Sequence, residues 1–179
     1  MCSICKHVTL TSDKLTSPVI EVELAGNTVQ SCIDASFSVT KLTGSERAKC
    51  TICNTRTDSE KGIALKTAPE VLIVKLQRFK WNMRTSTASK QSRRVKLTSV
   101  LDMGKHVRIP KSGQYKLHAA VLHHGDSPGS GHYTTVILKD NGNIMCNDER
   151  VSCLYDIPSR MESEAYVLYY QLQPQGNNN

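Results

Sequence analysis

Aromatic residues are scarce: one tryptophan, two phenylalanines and six tyrosines are spread through 179 residues. Beyond Trp81 they do not interleave with the basic residues, so nothing suggests a platform for stacking single-stranded bases. No run approaches the ~20 consecutive apolar residues of a membrane-spanning helix, and no membrane partner is expected. Polar residues follow Met1 almost at once, unlike the apolar centre of a secretory leader. The even, closely spaced cysteines of a secreted disulfide domain are missing too. There are seven, of which Cys32, Cys146 and Cys153 are scattered. These absences point to a reducing, intracellular compartment, cytoplasm or nucleus.

What is present suits one domain or one large piece of a bigger one. Hydrophobic residues make up 39% of the chain, enough for one packed core. The formal charge is +7, and Arg84, Lys90, Arg93, Arg94 and Lys96 share one polar stretch. A contact for nucleic acid or an acidic partner would use such a stretch. A solvated loop between two strands accounts for it more simply, and no nucleic-acid partner is expected.

Residues 18–24 (PVIEVEL) alternate apolar and polar, which predicts a half-buried strand. Asn27 is placed to cap a helix in which Val29, Cys32, Ile33 and Phe37 recur at helical spacing. Val71 to Phe79 (VLIVKLQRF) is nearly continuous in apolar residues and reads as a central strand covered on both faces. Residues 82–92, rich in Ser, Thr and Lys, read as a loop. Further strands are expected at 95–100, 115–123, 132–138, 143–146 and 165–172, with His124–Gly131 as a Gly-rich connecting loop. The tail 173–179 reads as disordered. The class is α+β: a small helix-containing module followed by a mostly antiparallel sheet.

Cys2, Cys5, Cys50 and Cys53 form two C-x-Ile-C pairs separated by the 44 residues 6–49. Each pair can set two thiolates on one side of a tight knuckle, and two knuckles close a tetrahedral zinc site. A thioredoxin-type redox pair would need a βαβ setting with the cysteines opening a helix, and neither pair has one. Four thiolates leave no open position for water, so the zinc would be structural. His7 reads as a surface histidine.

In VLHHGDSPGSGHYTTVI, residues 121–137, a Gly-rich loop delivers His132 to a strand start, where an imidazole can serve as a general base. A hairpin pairing 132–138 with 144–147 would bring Asn147 or Asp148 beside it. An imidazole that takes a thiol proton needs its other nitrogen held by an acceptor, which either residue supplies.

Taken in order, these phrases resemble the C-terminal half of a ubiquitin-specific protease, one of the papain-like cysteine peptidases that remove ubiquitin from proteins. The family phrase "LP-VL-I-LKRF" corresponds to Ala68–Phe79, and "Y-L-AV-H-G---GHY" to Tyr115–Tyr133. "F(D/N)D--V" corresponds to Cys146–Val151, and "S-AYVL-Y" to Ser163–Tyr169. The resemblance implies a fingers–palm architecture, about 1–65 fingers and about 66–172 palm, with the zinc at the fingertip. It implies ubiquitin and ubiquitylated proteins as partners, His132 as general base and Asn147 as its orienter. Asp148 would help position the base or polarise the reacting carbonyl. Gly129, Gly131 and Tyr133 would lie along ubiquitin's C-terminal tail.

The family's nucleophile sits in a box resembling Gly-Asn-Thr-Cys-Tyr, which these 179 residues lack. Gly26-Asn27-Thr28 is followed by Val29. Cys32 falls on the apolar side of the expected helix, Cys146 replaces a bulky apolar residue, and Cys153 lies near a turn. The leading expectation is one half of a cysteine-type deubiquitinase, inactive alone, whose nucleophile lies outside these residues. The alternatives are a non-catalytic ubiquitin-binding module that has lost the thumb, and a chain completed by a separate thumb-bearing segment.

Overall fold

The computed structural model describes residues 1–12, 19–109 and 113–174. Pro18, expected to open the first strand, and residues 175–179 of the expected disordered tail lie outside the described residues. The first half holds β1 (Val19–Val22), α1 (Val29–Ser36), β2 (Thr40–Leu42), β3 (Ala48–Lys49), β4 (Arg56–Thr57), β5 (Ser59–Lys61), β6 (Leu65–Thr67), β7 (Val71–Leu76), β8 (Phe79–Asn82) and β9 (Thr87–Lys90). The second holds β10 (Val100–Asp102), β11 (Val107–Ile109), β12 (Gln114–Ser127), β13 (Ser130–Ile137), β14 (Asn143–Asn147), β15 (Arg150–Leu154), α2 (Met161–Glu164) and β16 (Ala165–Leu172).

Eight strands make one sheet in the order β1-β7-β16-β12-β13-β14-β15, with β10 against the start of β12. Only β1–β7 is parallel among its pairs, so the fold is α+β with a mostly antiparallel sheet, as expected. One face carries the core. Leu72 and Val74 of β7 stand opposite Tyr170 and Leu168 of β16, and Leu168 opposite Ala120 of β12. All are buried, and Val29, Cys32 and Ile33 of α1 pack into the same cluster. Burying each large aliphatic side chain contributes about 1.5–3 kcal/mol, which is why alternation sets the register.

α1 starts one residue later than Asn27 predicts. Thr28 is the N-cap: its hydroxyl accepts from Ser31 N, and Ser31 Oγ accepts from Thr28 N, each at 3.0 Å. Asn27 instead serves the facing segment, where its carbonyl accepts from Lys96 N at 2.9 Å. That bond also explains why 95–100 is no strand. Val95 N donates to Glu162 O and Lys96 N to Asn27 O, so its ladder is divided between two partners and β10 begins only at Val100.

The apolar run Val71–Phe79 is likewise shorter than expected and covered on one face. Val71 is 43% exposed while Leu72, Val74 and Leu76 are buried. The strand stops at Leu76 because Gln77 N turns to Val22 O and Arg78 N to Leu76 O. Residues 82–92 are not simply a loop, since β9 pairs with β8 as a polar hairpin. The connection His124–Gly131 is mostly strand too: β12 and β13 extend to Ser127 and Ser130 around a tight Pro128-Gly129 turn. A bulge lies between His124 and Ser127, where Gly125 takes φ +127°, a conformation that side chains other than glycine rarely adopt.

Arg78 joins these pieces. It has no exposed surface, and its guanidinium donates to four carbonyls: Ala165 O at 2.5 Å, Glu162 O at 2.7 Å, Arg93 O at 2.9 Å and Gln91 O at 3.1 Å. Burial lowers its pKa to about 10, still well above neutrality, so the group stays charged. Charge-assisted bonds to carbonyls are strong, and removing the donor leaves those carbonyls unpaired. Arg78→Met is expected to cost about 3–5 kcal/mol in urea unfolding followed by circular dichroism. A loss below about 1 kcal/mol would show that water satisfies the carbonyls instead.

Candidate functional site

Two constellations stand out. The first is the four-cysteine cluster. The knuckles Cys2–Cys5 and Cys50–Cys53 are held by the short pairs β2–β5 and β3–β4, by a Cys2–Ser59 bridge, and by Met1's ammonium on Glu60 O. The four sulfurs lie within 4.8 Å of one another. Cys2 Sγ is 3.9 Å from Cys53 Sγ and Cys5 Sγ 3.6 Å from Cys50 Sγ. A tetrahedral site with metal–sulfur bonds near ~2.3 Å has edges of about 3.8 Å, so the cluster fits a thiolate-bound metal ion.

Electrostatics around the sulfurs points the same way. The Thr57 hydroxyl, 3.2 Å from Cys2 Sγ, acts with the backbone N–H groups of Cys5 and Ile4 to lower the Cys2 thiol to about 6. Cys5 beside it, together with burial, pushes Cys53 up to about 12. Crowding thus splits the acidities of neighbouring thiols within one cluster. Thr57 is buried on β4, four residues after Cys53. Nothing in the sequence marks it beyond that nearness.

The second constellation lies on the three-strand ribbon β13–β14–β15. The β13–β14 ladder pairs Thr135 with Cys146, Val136 with Met145 and Ile137 with Ile144. Side chains of paired residues share a face and alternate along a strand. His132 therefore shares a face with Thr134, Val136, Met145 and Asn147. His132 Nε2 lies 2.5 Å from Asn147 Oδ1, and 3.9 Å from Asp148 Oδ2. An amide oxygen can only accept, so Nε2 carries the proton and Nδ1 is left with its lone pair. Asp148 holds φ +50° in the β14–β15 turn. That turn starts β15, a strand the sequence reading omits, because Asn147-Asp148 reads as the end of a ribbon rather than its corner.

The remaining cysteines stand away from this base. Alternation puts Cys146, and Cys153 opposite Ile144, on the other face of the ribbon. Cys32 is fully buried in the core, beside the backbone of Gly26. Among the described residues no thiol faces His132.

Gly131 has no room for a side chain: a Cβ there would fall 2.3 Å from His123 Nε2 and 2.5 Å from His124 O. Gly129, at the turn, would meet nothing. Tyr133 is half exposed on the face opposite His132. It forms an aromatic group with His123, Phe79 and Tyr166, with centroids 4.9–6.4 Å apart. Burial, Lys90 and His124 lower the His123 pKa, so that ring stays neutral.

The basic stretch is only partly solvated. Lys90 Nζ reaches across from β9 to His123 O at 2.5 Å and Gly125 O at 2.7 Å, satisfying carbonyls at the β12 bulge. Arg93 donates to Leu24 O, Gly26 O and Asn27 Oδ1. Both supports are missed by the sequence reading, which has no signal for a lysine aimed at backbone 33 residues away.

The chain is similar to known proteins. Residues 12–170 match the family described as Ubiquitin carboxyl-terminal hydrolase. Ubiquitin carboxyl-terminal hydrolase 17-like protein 20 of Homo sapiens is 28% identical over 171 residues, covering 94% of this chain and 31% of that protein. Ubiquitin carboxyl-terminal hydrolase 17-like protein A of Mus musculus is 28% identical over 174 residues, covering 96% of this chain and 32% of its own length. The chain thus spans about a third of these relatives. A SAGA DUB module bound to ubiquitin aldehyde superposes with a TM-score of 0.72 at 20% identity, over 87% of this chain and 35% of that one. Another, bound to monoubiquitin, gives 0.71 at 21% identity over the same shares. The structural likeness shows a shared fold. The family match covers most of the chain, and the chain belongs to the ubiquitin carboxyl-terminal hydrolase family.

Proposed function

We propose that this chain is the base-bearing half of a cysteine-type deubiquitinase, acting at the C-terminus of ubiquitin with a nucleophile supplied from outside these 179 residues. The observation that carries the proposal is the His132–Asn147 pair: Asn147 fixes Nε2–H and leaves Nδ1 free to take a thiol proton. In this reading Nδ1 accepts that proton as the thiolate attacks the carbonyl at the ubiquitin C-terminus. The resulting imidazolium then protonates the departing amine. The thioester left behind is hydrolysed by a water from which His132 takes a proton. Asp148 is close enough to add negative charge beside the imidazolium. Gly129, Gly131 and Tyr133 lie in the β12–β13 hairpin along which the ubiquitin tail would run.

In the same reading the four cysteines bind one zinc ion. All-thiolate donors in a closed tetrahedron suit zinc and leave no site for a substrate, so the ion would brace the fingers rather than react. The fingers would comprise the knuckle-bearing part of about residues 1–65, and the palm about 66–172. Such a site, beside free thiols, suits an intracellular compartment. Elemental analysis of the purified chain should find about one zinc per molecule, falling to near zero in Cys50→Ser with loss of ordered signals from β3–β4. A chain that folds with no bound metal would refute the assignment.

A second reading, a non-catalytic ubiquitin-binding module, draws support from the position of Cys32, Cys146 and Cys153 away from His132. A ubiquitin probe with a C-terminal electrophile separates the two. The 179-residue chain alone should bind ubiquitin and stay unlabelled. Joined to, or mixed with, a segment bearing a thumb cysteine, it should cleave ubiquitin conjugates. There His132→Ala should slow cleavage by about 10²–10⁴-fold while ubiquitin affinity holds. Cleavage indifferent to His132, or labelling of Cys32, Cys146 or Cys153, would overturn the proposal; ubiquitin binding with no cleavage in any pairing would favour the module.

A further inference from the structure

His132 does not stand alone on its face of the sheet. His124 is its ladder partner on β12, with ring centroids 6.2 Å apart and planes within 23° of parallel. The two rings differ in how they are held. His132 is 46% exposed and has Asn147 at one nitrogen. His124 is 22% exposed and is met at both nitrogens: Nε2 lies 2.7 Å from Thr134 Oγ1, and Nδ1 lies 2.9 Å from Glu164 Oε2.

The Glu164 contact has a particular character. Oε2 is buried and lacks a well-aligned hydrogen bond, although His124 Nδ1 lies 2.9 Å away. The contact is one of close approach. A buried carboxylate oxygen left without a hydrogen bond needs a reason, and a ring held against it is one. Arg160 Nε, 3.6 Å from the same oxygen, keeps the carboxylate in place from the solvent side. Thr134 is itself buried, two residues along β13 from His132 and opposite Leu122 of β12. Thus the inner ring is fixed by α2 and β13, while the outer ring relies on one amide and on whatever surface lies behind it.

We propose that His124 is a positioning residue for His132. Pinned by Thr134 and Glu164, its ring is the wall against which the His132 ring rests, with Nε2 on Asn147 and Nδ1 toward the open side. The proposal rests on His132 being the general base, but its claim concerns the orientation of that ring and not the reaction. An exposed imidazole with one hydrogen bond can turn about its Cβ–Cγ bond and lose the arrangement in which Nδ1 carries the free lone pair. An offset ring pair is worth about threefold to tenfold in the population of the stacked arrangement.

Nitrogen-15 NMR of the ring nitrogens in the 179-residue chain tests this at about pH 9, above the ordinary histidine range. The intact chain should show His132 predominantly protonated at Nε2. His124→Ala should lower the ratio of that tautomer to the other by about threefold or more, with the backbone amides of residues 122–136 unmoved. A general loss of structure would move those amides, so the two effects separate. Thr134→Val, which keeps shape and removes the pin, should lower the ratio in the same direction. If His124→Ala disturbs the amides, Thr134→Val decides alone. An unchanged tautomer ratio in the folded variant overturns the proposal. It would leave the assignment of His132 as base standing, because that assignment is decided by cleavage and this one needs neither nucleophile nor ubiquitin.

Discussion

One buried guanidinium organises this fold. Arg78 sits where β7 ends and gathers carbonyls from two separate stretches: residues 91–93, and residues 162–165 where α2 runs into β16. It has no carboxylate partner in that set. Four carbonyl dipoles aimed at one cation replace water, which is how a charge is held in an interior without neutralisation. The consequence is topological. The chain leaves the sheet at Gln77, makes the β8–β9 hairpin outside it, and must return so that Gln91 and Arg93 lie against the same group. A polar hairpin with no buried face of its own is therefore anchored at its root.

The same anchoring reaches the candidate base. β9 ends at Lys90, one residue before the first carbonyl on Arg78, and Lys90 bonds the carbonyls of His123 and Gly125. Those carbonyls border the bulge in β12, where ladder bonding to β13 is interrupted. A bulge left without donors would be the softest point of the β12–β13 hairpin. With Lys90 in place, it re-aims the strand end while keeping His124 opposite His132. Order thus passes from Arg78 to β9, from Lys90 to the bulge, and from the hairpin to the ring that faces Asn147.

How much of this is legible in the sequence depends on the range over which each feature is encoded. β16 is legible because AYVLYYQL is a single uninterrupted strand-forming run, and α1 because its apolar residues keep helical spacing. The knuckles are legible because a metal site constrains spacing within a few residues. His132 and Asn147 meet through one short hairpin, so they too can be inferred. The β8–β9 hairpin is hidden because a ribbon exposed on both faces carries no apolar alternation. β15 is hidden because Arg150–Leu154 is mostly exposed and its signal is one left-handed residue, Asp148. Arg78 enters the sequence reading only as part of the Val71–Phe79 run. Nothing near it reveals that its partners lie as far as 87 residues away. The contact between His124 and Glu164 joins separate elements in the same way, and only the assembled sheet brings the two together.

The two constellations then differ in what they demand of the chain. The cysteine cluster needs mutual distance alone, and a bound cation can draw short, weakly structured hairpins into shape around it. The His132 arrangement needs direction: one ring nitrogen on an amide oxygen, the other left open, both fixed before any substrate arrives. That direction has to come from the sheet, and it does so on the one face where buried Thr134 and Val136 lock the strand beneath it. A ring that is nearly half exposed to receive a proton cannot also be enclosed for rigidity. Placing a second, better-buried ring behind it resolves that conflict. Rigidity is supplied from the core side, and the open side stays free for the thiol that the proposed mechanism requires.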